Sequence, residues 1–250
     1  MKRIKNILII IVIITIYASC KNKSVDMIFT NGKIYTVNEE FSIEEAFAIK
    51  DGKIIAVGSN SEIENKYPSD KKIDLDGKVV YPGFIDAHAH FTGYAELNYR
   101  YADLVETKSF EEVLSILEEH DKMSNDEWLC GRGWDQNDWP NQEWPNREEL
   151  DKRWPEKPVY LVRIDAHAAL VNSKALEMAG ITENSKIIGG DYLKKDGKRT
   201  GVLIDKAMED VRKLIPELSK DQWLSALKIA EKHCTEHGLT MVSDAGLDKE

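Results

Sequence analysis

The sequence predicts an α/β chain in two parts, a small β unit followed by a longer segment in which strands alternate with helices. Three observations carry that prediction. Between residues 25 and 78, short runs rich in β-branched and aromatic residues are separated by Asn31-Gly32, Asp51-Gly52 and Asp76-Gly77. Such dipeptides favour the positive φ of tight hairpin turns. From Pro82 onward, apolar strand-like runs alternate with segments that open on helix-capping residues, the pattern of βα units. Between the two parts lies Val79-Val80-Tyr81-Pro82-Gly83-Phe84-Ile85-Asp86-Ala87-His88-Ala89-His90-Phe91, an apolar run punctuated by Pro-Gly and ending on paired histidines. The divisions fall at 1–20 for a leader, 21–82 for the β unit and 83–250 for the α/β segment.

The leader opens on the basic Met1-Lys2-Arg3-Ile4-Lys5, and Ile7 to Ile16 is apolar except for Thr15. That run is shorter than the about 20 residues of a membrane span and has the layout of a secretory signal. Tyr17-Ala18-Ser19-Cys20 follows and resembles the cleavage site of a bacterial lipoprotein, although Tyr17 stands where an aliphatic residue is usual. The resemblance implies cleavage before Cys20, lipidation of that cysteine, and an exported protein anchored on the periplasmic or cell-surface side of a membrane. An ordinary signal cut nearby, or an uncleaved anchor, is the competing account.

In the β unit, Met27-Ile28-Phe29 and Lys33–Val37 flank Asn31-Gly32, and Ala46–Lys50 and Lys53–Gly58 flank Asp51-Gly52. Each reads as a hairpin, so the unit reads as antiparallel. Ser61 to Tyr67 suits one or two helical turns. Farther on, Ser109-Phe110-Glu111-Glu112 has the form of a capping box opening a helix to about Lys122. Phe110, Val113, Leu114 and Leu117 fall on one face of that helix. Glu127–Gly131 and Pro158–Arg163 read as buried strands. Asn172 or Ser173 caps a helix that runs through Ala179 and ends at Gly180. Residues 187–205 read as an excursion with a hairpin at Asp196-Gly197, and a helix follows near 206–214. Ser219 then caps a longer helix with Trp223, Leu227, Ala230 and Cys234 on its inner face, before a strand at Leu239–Asp244.

The formal charge of −10 argues against a nucleic-acid partner, which needs a basic footprint. Outside the leader only Cys130 and Cys234 remain. Export would permit a disulfide between them, but their separation says nothing about proximity, and buried free thiols are expected.

The chemistry centres on His88 and His90. Side chains alternate faces along a strand, so the two histidines project to one side, with Cβ atoms roughly 6.5 Å apart. Two imidazoles so placed can converge on one ion at about 2.0–2.1 Å per Zn–N bond. Asp86 shares the face and could orient a ligand imidazole or cap the next turn. A bare His-x-His is equally the mark of two polar strand residues with satisfied hydrogen bonds, so the spacing alone decides nothing.

The string Pro82-Gly83-Phe84-Ile85-Asp86-Ala87-His88-Ala89-His90-Phe91 resembles the first barrel strand of the amidohydrolase superfamily. Further segments resemble its amidohydrolase family 3, which includes N-substituted formamide deformylases. They are Gly131-Arg132-Gly133-Trp134-Asp135, Asp165-Ala166-His167 with Asn172–Leu176, Gly189-Gly190-Asp191, Thr200–Leu203, and Gly238–Gly246. The resemblance implies an incomplete (β/α)8 TIM-type metal-dependent hydrolase barrel over 83–250, preceded by the strands of a β-sandwich. It implies a divalent metal, Zn²⁺ being the expected ion, held by His88 and His90, and hydrolysis of a non-peptide amide C–N bond in a small molecule by metal-activated water. An ordinary barrel has about 250 residues, more than the segment here. The remaining metal ligands and the catalytic base of similar proteins have no counterpart up to residue 250, so the chain is expected to be the front portion of such an enzyme and inactive alone. Open strand edges would then invite self-association into homo-oligomers. The alternative is a non-catalytic, lipid-anchored scaffold.

Three residues are candidate substrate contacts. Trp134 and Asp135 follow a strand end; the other tryptophans between 128 and 154 read as packing beneath a long loop. His167 also follows a strand, and either meets substrate at the rim or fixes the loop before the capped helix. Asp205 presents a similar choice between pocket and helix N-cap, and the cap is favoured.

Overall fold

A computed structural model describes residues 24–247; the leader and Cys20 lie outside the described residues. The chain folds as two compact units that divide between Phe84 and Ile85.

The first unit contains two sheets. Strand β1 (Met27–Thr30) pairs antiparallel with β4 (Ala46–Lys50) and parallel with β6 (Lys72–Asp74). β5 (Lys53–Gly58) completes the order β5-β4-β1-β6. The second sheet sets β2 (Lys33–Tyr35) between β3 (Ile43–Glu44) and β7 (Val79–Val80). Asp51 and Gly52, at φ 51° and 70°, make the expected β4–β5 hairpin. Asn31-Gly32 does not make one, and the unit is mixed rather than antiparallel. Asn31 takes φ 56°, but its side chain donates to Asp74 Oδ2 at 3.0 Å and its N–H donates to Asn60 Oδ1 at 2.8 Å. These long-range bonds carry the chain from one sheet into the other. Helix α1 (Asn60–Lys66), capped by Ser59, buries Ile63 against Val25, Ile28, Ala46 and Ala48.

In the second unit, β8 (Phe84–Ala89) pairs with β15 (Leu239–Asp244). A six-stranded sheet has the order β13-β14-β12-β11-β10-β9. Strands β9 (Tyr101–Asp103), β10 (Leu129–Trp134) and β11 (Val159–Arg163) are parallel. They are linked by α3 (Phe110–Met123) and α4 (Glu148–Arg153). The rest is antiparallel: β12 (Ala168–Val171), β13 (Gly190–Lys195) and β14 (Lys198–Asp205). Residues 190–205 are therefore the last two strands at one end of the main sheet, with β13 at its edge, and not an excursion, although Asp196-Gly197 turns between them as expected, at φ 53° and 80°.

Both faces of this sheet are covered, which is why its strands read as continuous apolar runs. On one face Leu129, Leu161 and Trp134 pack with Val113, Leu114 and Leu117 of α3. On the other, Cys130, Tyr160 and Val171 pack against α5 (Ser173–Met178) and α6 (Ala207–Arg212). Ser109 caps α3 by accepting from Glu112 N, but Glu112 reaches back to Lys108 N at 2.7 Å, one residue before the cap. The complete capping box belongs to α7 (Lys220–Glu236), between Ser219 and Gln222. Ala226 and Ala230 of α7 are buried beside Ala95 of α2 (Phe91–Arg100). Among the described residues no helix is long and apolar enough to cross a membrane.

Candidate metal centre

His88 lies within β8, whereas His90 lies one residue beyond it, at the N-cap of α2 with φ −118° and ψ 65°. The strand is thus one residue shorter than the alternation suggests. Even so the two rings come together, their centroids 5.5 Å apart and their planes at 89°. A ring centroid stands about 3.2 Å from a metal bound at its nitrogen, so two imidazoles at a tetrahedral angle have centroids about 5.2 Å apart. The separation of the rings matches that of two imidazoles sharing one ion. No group of three or more His, Cys, Asp or Glu suited to a metal occurs among the described residues.

The surroundings explain how His90 is left free. An N-cap side chain ordinarily accepts from a first-turn N–H, but His90 makes no such bond. Thr92 N–H donates instead to Asp244 Oδ2 at 2.9 Å, and Thr92 Oγ1 donates to the same oxygen at 3.0 Å. Asp244 Oδ1 accepts from Gly246 N at 2.8 Å. The Thr92 and Gly246 N–H groups hold the Asp244 carboxyl below the usual range, and nearby His90 acts in the same direction. A Cβ on Gly246 would lie 2.9 Å from His90 Nδ1, so a side chain there would press on the His90 ring. Asp244 ends β15 and binds the start of α2; its neighbourhood to His90 comes from the β8–β15 pairing, which no local pattern announces.

Asp86 does something other than orient an imidazole. Its Oδ1 accepts from His88 N at 3.0 Å, so it fixes the backbone that carries His88. A cavity of about 440 Å³ adjoins His90 but not His88, lined by Asp86, His90, Phe91, Tyr94, His233 and His237 among others. Tyr94 Oη lies 2.9 Å from His233 Nδ1.

The other candidates lie elsewhere in the unit. Trp134 is 1% exposed, and its Nε1–H donates to Leu161 O at 2.9 Å. Its rings pack 6.1 Å from those of Trp139 and Trp144. The expectation that Trp134 faces substrate gives way to a core role, because β10 turns it toward α3. Asp135 Oδ1 accepts from Arg163 Nη2 at 2.8 Å and from Asn137 N. It anchors the turn after β10 and is already paired with a guanidinium.

His167 precedes β12, and its Nδ1 lies 2.8 Å from Asp205 Oδ1. Asp205 is the last residue of β14, at φ 49°, so it is not the cap of α6. Lys206 holds that position without a side-chain bond. Pairing with Asp205 raises the His167 pKa above its ordinary value. The imidazolium is therefore favoured in the fold, and its contribution is full below the ordinary pKa of about 6.5. It is lost as pH rises through the folded value. A ¹H–¹⁵N NMR titration is expected to place the His167 midpoint above the ordinary value, and Asp205→Asn to bring it down; equal midpoints would break the pairing. Cys130 is buried, which pushes its pKa up to about 12 and leaves it inert. Cys234 is only partly buried, and both thiols are free.

The described residues form an α/β fold in which two histidines come together at the end of β8. A family model described as the amidohydrolase family matches residues 71–250, and the chain belongs to that family. It is 37% identical over 218 residues to YtcJ of Bacillus subtilis (strain 168), which carries an amidohydrolase name; the match covers 85% of this chain and 41% of YtcJ. It is 29% identical over 233 residues to the N-substituted formamide deformylase of Arthrobacter pascens, covering 88% of this chain and 42% of that protein. Among solved structures it is similar to an uncharacterized metal-dependent hydrolase from Pyrococcus horikoshii OT3, with a TM-score of 0.61 and 30% identity over 86% of this chain and 42% of that one. The chain thus spans about two fifths of the length of these relatives.

Proposed function

We propose that this chain contributes the first two metal ligands, His88 and His90, of a metal-dependent hydrolase acting on non-peptide amide C–N bonds. The observation that carries the reading is the convergence of the two rings to 5.5 Å at the end of β8, in a chain of the amidohydrolase family. The expected ion is Zn²⁺, which suits imidazole ligands. When bound, such an ion acts as a Lewis acid on the scissile carbonyl and lowers the pKa of water at the site. The chain's own part is positional. Asp86 steadies the His88 backbone, and Asp244 takes the α2 donor that His90 would otherwise cap. The proposed activity is that of the full length of such relatives, of which this chain spans about two fifths. The test is metal analysis of the complete product of the reading frame together with a panel of N-substituted amides. Hydrolysis with stoichiometric metal supports the reading, and a metal-free protein inert on every amide overturns it.

The leader extends the proposal to location: export, lipidation at Cys20 and membrane anchoring. Replacing Cys20 by serine is expected to move the protein from the membrane to the soluble fraction and to remove incorporation of labelled palmitate. Unchanged membrane association would refute lipid anchoring.

A further inference from the structure

The backbone of His88 is fixed by Asp86, whereas the ring of His90 makes no cap bond to α2 and no hydrogen bond with the described residues. Ligating histidines ordinarily give one nitrogen to the metal and donate the other N–H to a carboxylate or carbonyl, which selects the tautomer and orients the ring. The turn after β15 brings such a group to His90. The point that a Cβ on Gly246 would occupy lies 2.9 Å from His90 Nδ1 and 3.5 Å from Asp244 Oδ1. The imidazole nitrogen and the carboxylate oxygen therefore border one gap, which a side chain at 246 would enter. Gly246 does not have the positive φ that favours glycine, so the effect of its missing side chain is to keep that gap open. Asp244 is itself held in place. Oδ2 accepts from Thr92 N and Oγ1, and Oδ1 accepts from Gly246 N at 2.8 Å. A carboxylate oxygen offers two lone-pair sites, and Oδ1, with this one donor, keeps the second for an imidazole N–H.

We propose that Asp244 is the positioning residue of His90: its Oδ1 accepts the imidazole Nδ1–H, which leaves the lone pair on Nε2 and turns that nitrogen toward the ion. Asp244 thus has two separable tasks, closing the start of α2 through Oδ2 and setting the His90 ring through Oδ1. The carboxylate comes from β15 and the histidine from the end of β8, so the pairing of the two strands is what readies this ligand. Asp86, by contrast, acts on its histidine through the backbone alone. What the orientation serves rests on the hydrolase reading, whereas the tautomer belongs to the metal-free chain and does not.

The first measurement needs no metal. Long-range ¹H–¹⁵N NMR correlation on the full chain, above the ordinary imidazole pKa of about 6.5, reads which nitrogen of His90 carries the proton. Nδ1–H is expected in the wild type, and Nε2–H there would overturn the proposal whatever the variants do. Two variants then separate the tasks of Asp244. Gly246→Ala sets a Cβ in the gap but leaves the Thr92 bonds, and so the start of α2, intact. Asp244→Asn puts an amide nitrogen, which cannot accept, in place of one carboxylate oxygen. Both are expected to move the His90 proton toward Nε2, Gly246→Ala at an unchanged thermal midpoint and Asp244→Asn at a lowered one. In the complete protein each is expected to weaken Zn²⁺ about 10–100-fold by chelator competition, the range for partners of a ligand's ring N–H. A wild-type tautomer and wild-type Zn²⁺ affinity in Gly246→Ala would reduce Asp244 to a helix cap and overturn its positioning role. A complete protein that binds no metal yet shows His90 Nδ1–H, lost in Gly246→Ala, would sink the hydrolase reading and uphold the Asp244–His90 pairing.

Discussion

Replacing His88 and His90 together by alanine is expected to strip the complete protein of its metal and to lower amide hydrolysis by more than about 10³-fold. A metal's Lewis acidity supplies several kcal/mol of transition-state stabilisation, and each 1.36 kcal/mol is a factor of about ten in rate. Both residues are exposed, and exposed substitutions ordinarily change stability by no more than about 0.5 kcal/mol. The thermal midpoint of the metal-free protein is therefore expected to hold while metal content, by elemental analysis, falls to background. Asp86→Ala offers a graded comparison. Asp86 touches the His88 backbone and not its ring, so its loss loosens the ligand without removing it. The expected cost in metal affinity is a fraction of that of the double variant. Full metal content and full activity in the double variant would leave the scaffold account standing in place of the hydrolase.

Local chemistry made part of this fold legible. Ser109 and Ser219 each cap a helix through an N–H three residues on, and Asp51-Gly52 and Asp196-Gly197 each turn a hairpin. The signals that misled are local ones overruled by distant partners. Asn31-Gly32 has hairpin chemistry, but Asp74 and Asn60 claim Asn31 for a crossing between sheets. Asp205 has cap chemistry, but His167 claims its carboxylate. The four-residue β12, Ala168-Ala169-Leu170-Val171, runs straight into a capped helix and has no alternation to separate it, because both its faces are buried. The candidate site divides the same way. The histidine pair stands in the residue pattern, whereas the Asp244–Thr92 contact spans 152 positions and depends on the pairing of β8 with β15.

Asn172 shows most clearly what the sequence left open, and it carries the largest stability effect expected here. Either Asn172 or Ser173 could cap α5 on residue type alone. The structure gives the role to Asn172, which is 0% exposed and uses its whole amide. Oδ1 accepts from Val159 N at 3.0 Å and Ala175 N at 3.1 Å, while Nδ2 donates to Trp154 O at 2.8 Å and Lys157 O at 2.9 Å. One side chain thus ties the start of β11, the start of α5 and the end of α4 together. Asn172→Ala removes a helix cap worth about 1 kcal/mol and strands buried backbone groups at about 1–3 kcal/mol each. A loss of about 3–6 kcal/mol in urea unfolding is expected, against a total of about 5–15 kcal/mol for a domain. Ser173 is exposed, with its hydroxyl on Asp151 and Arg147, so Ser173→Ala is expected to cost less than about 1 kcal/mol. Asn172→Asp keeps both accepted bonds but sets a carboxylate oxygen against two carbonyls. Burial and those carbonyls raise its folded pKa above the unfolded value, so its penalty is fully present above the folded pKa and eases as pH falls through it. Urea midpoints for this variant are expected to rise relative to wild type on acidification; a constant difference, or equal costs for Asn172→Ala and Ser173→Ala, would show that the cap and the knot lie elsewhere.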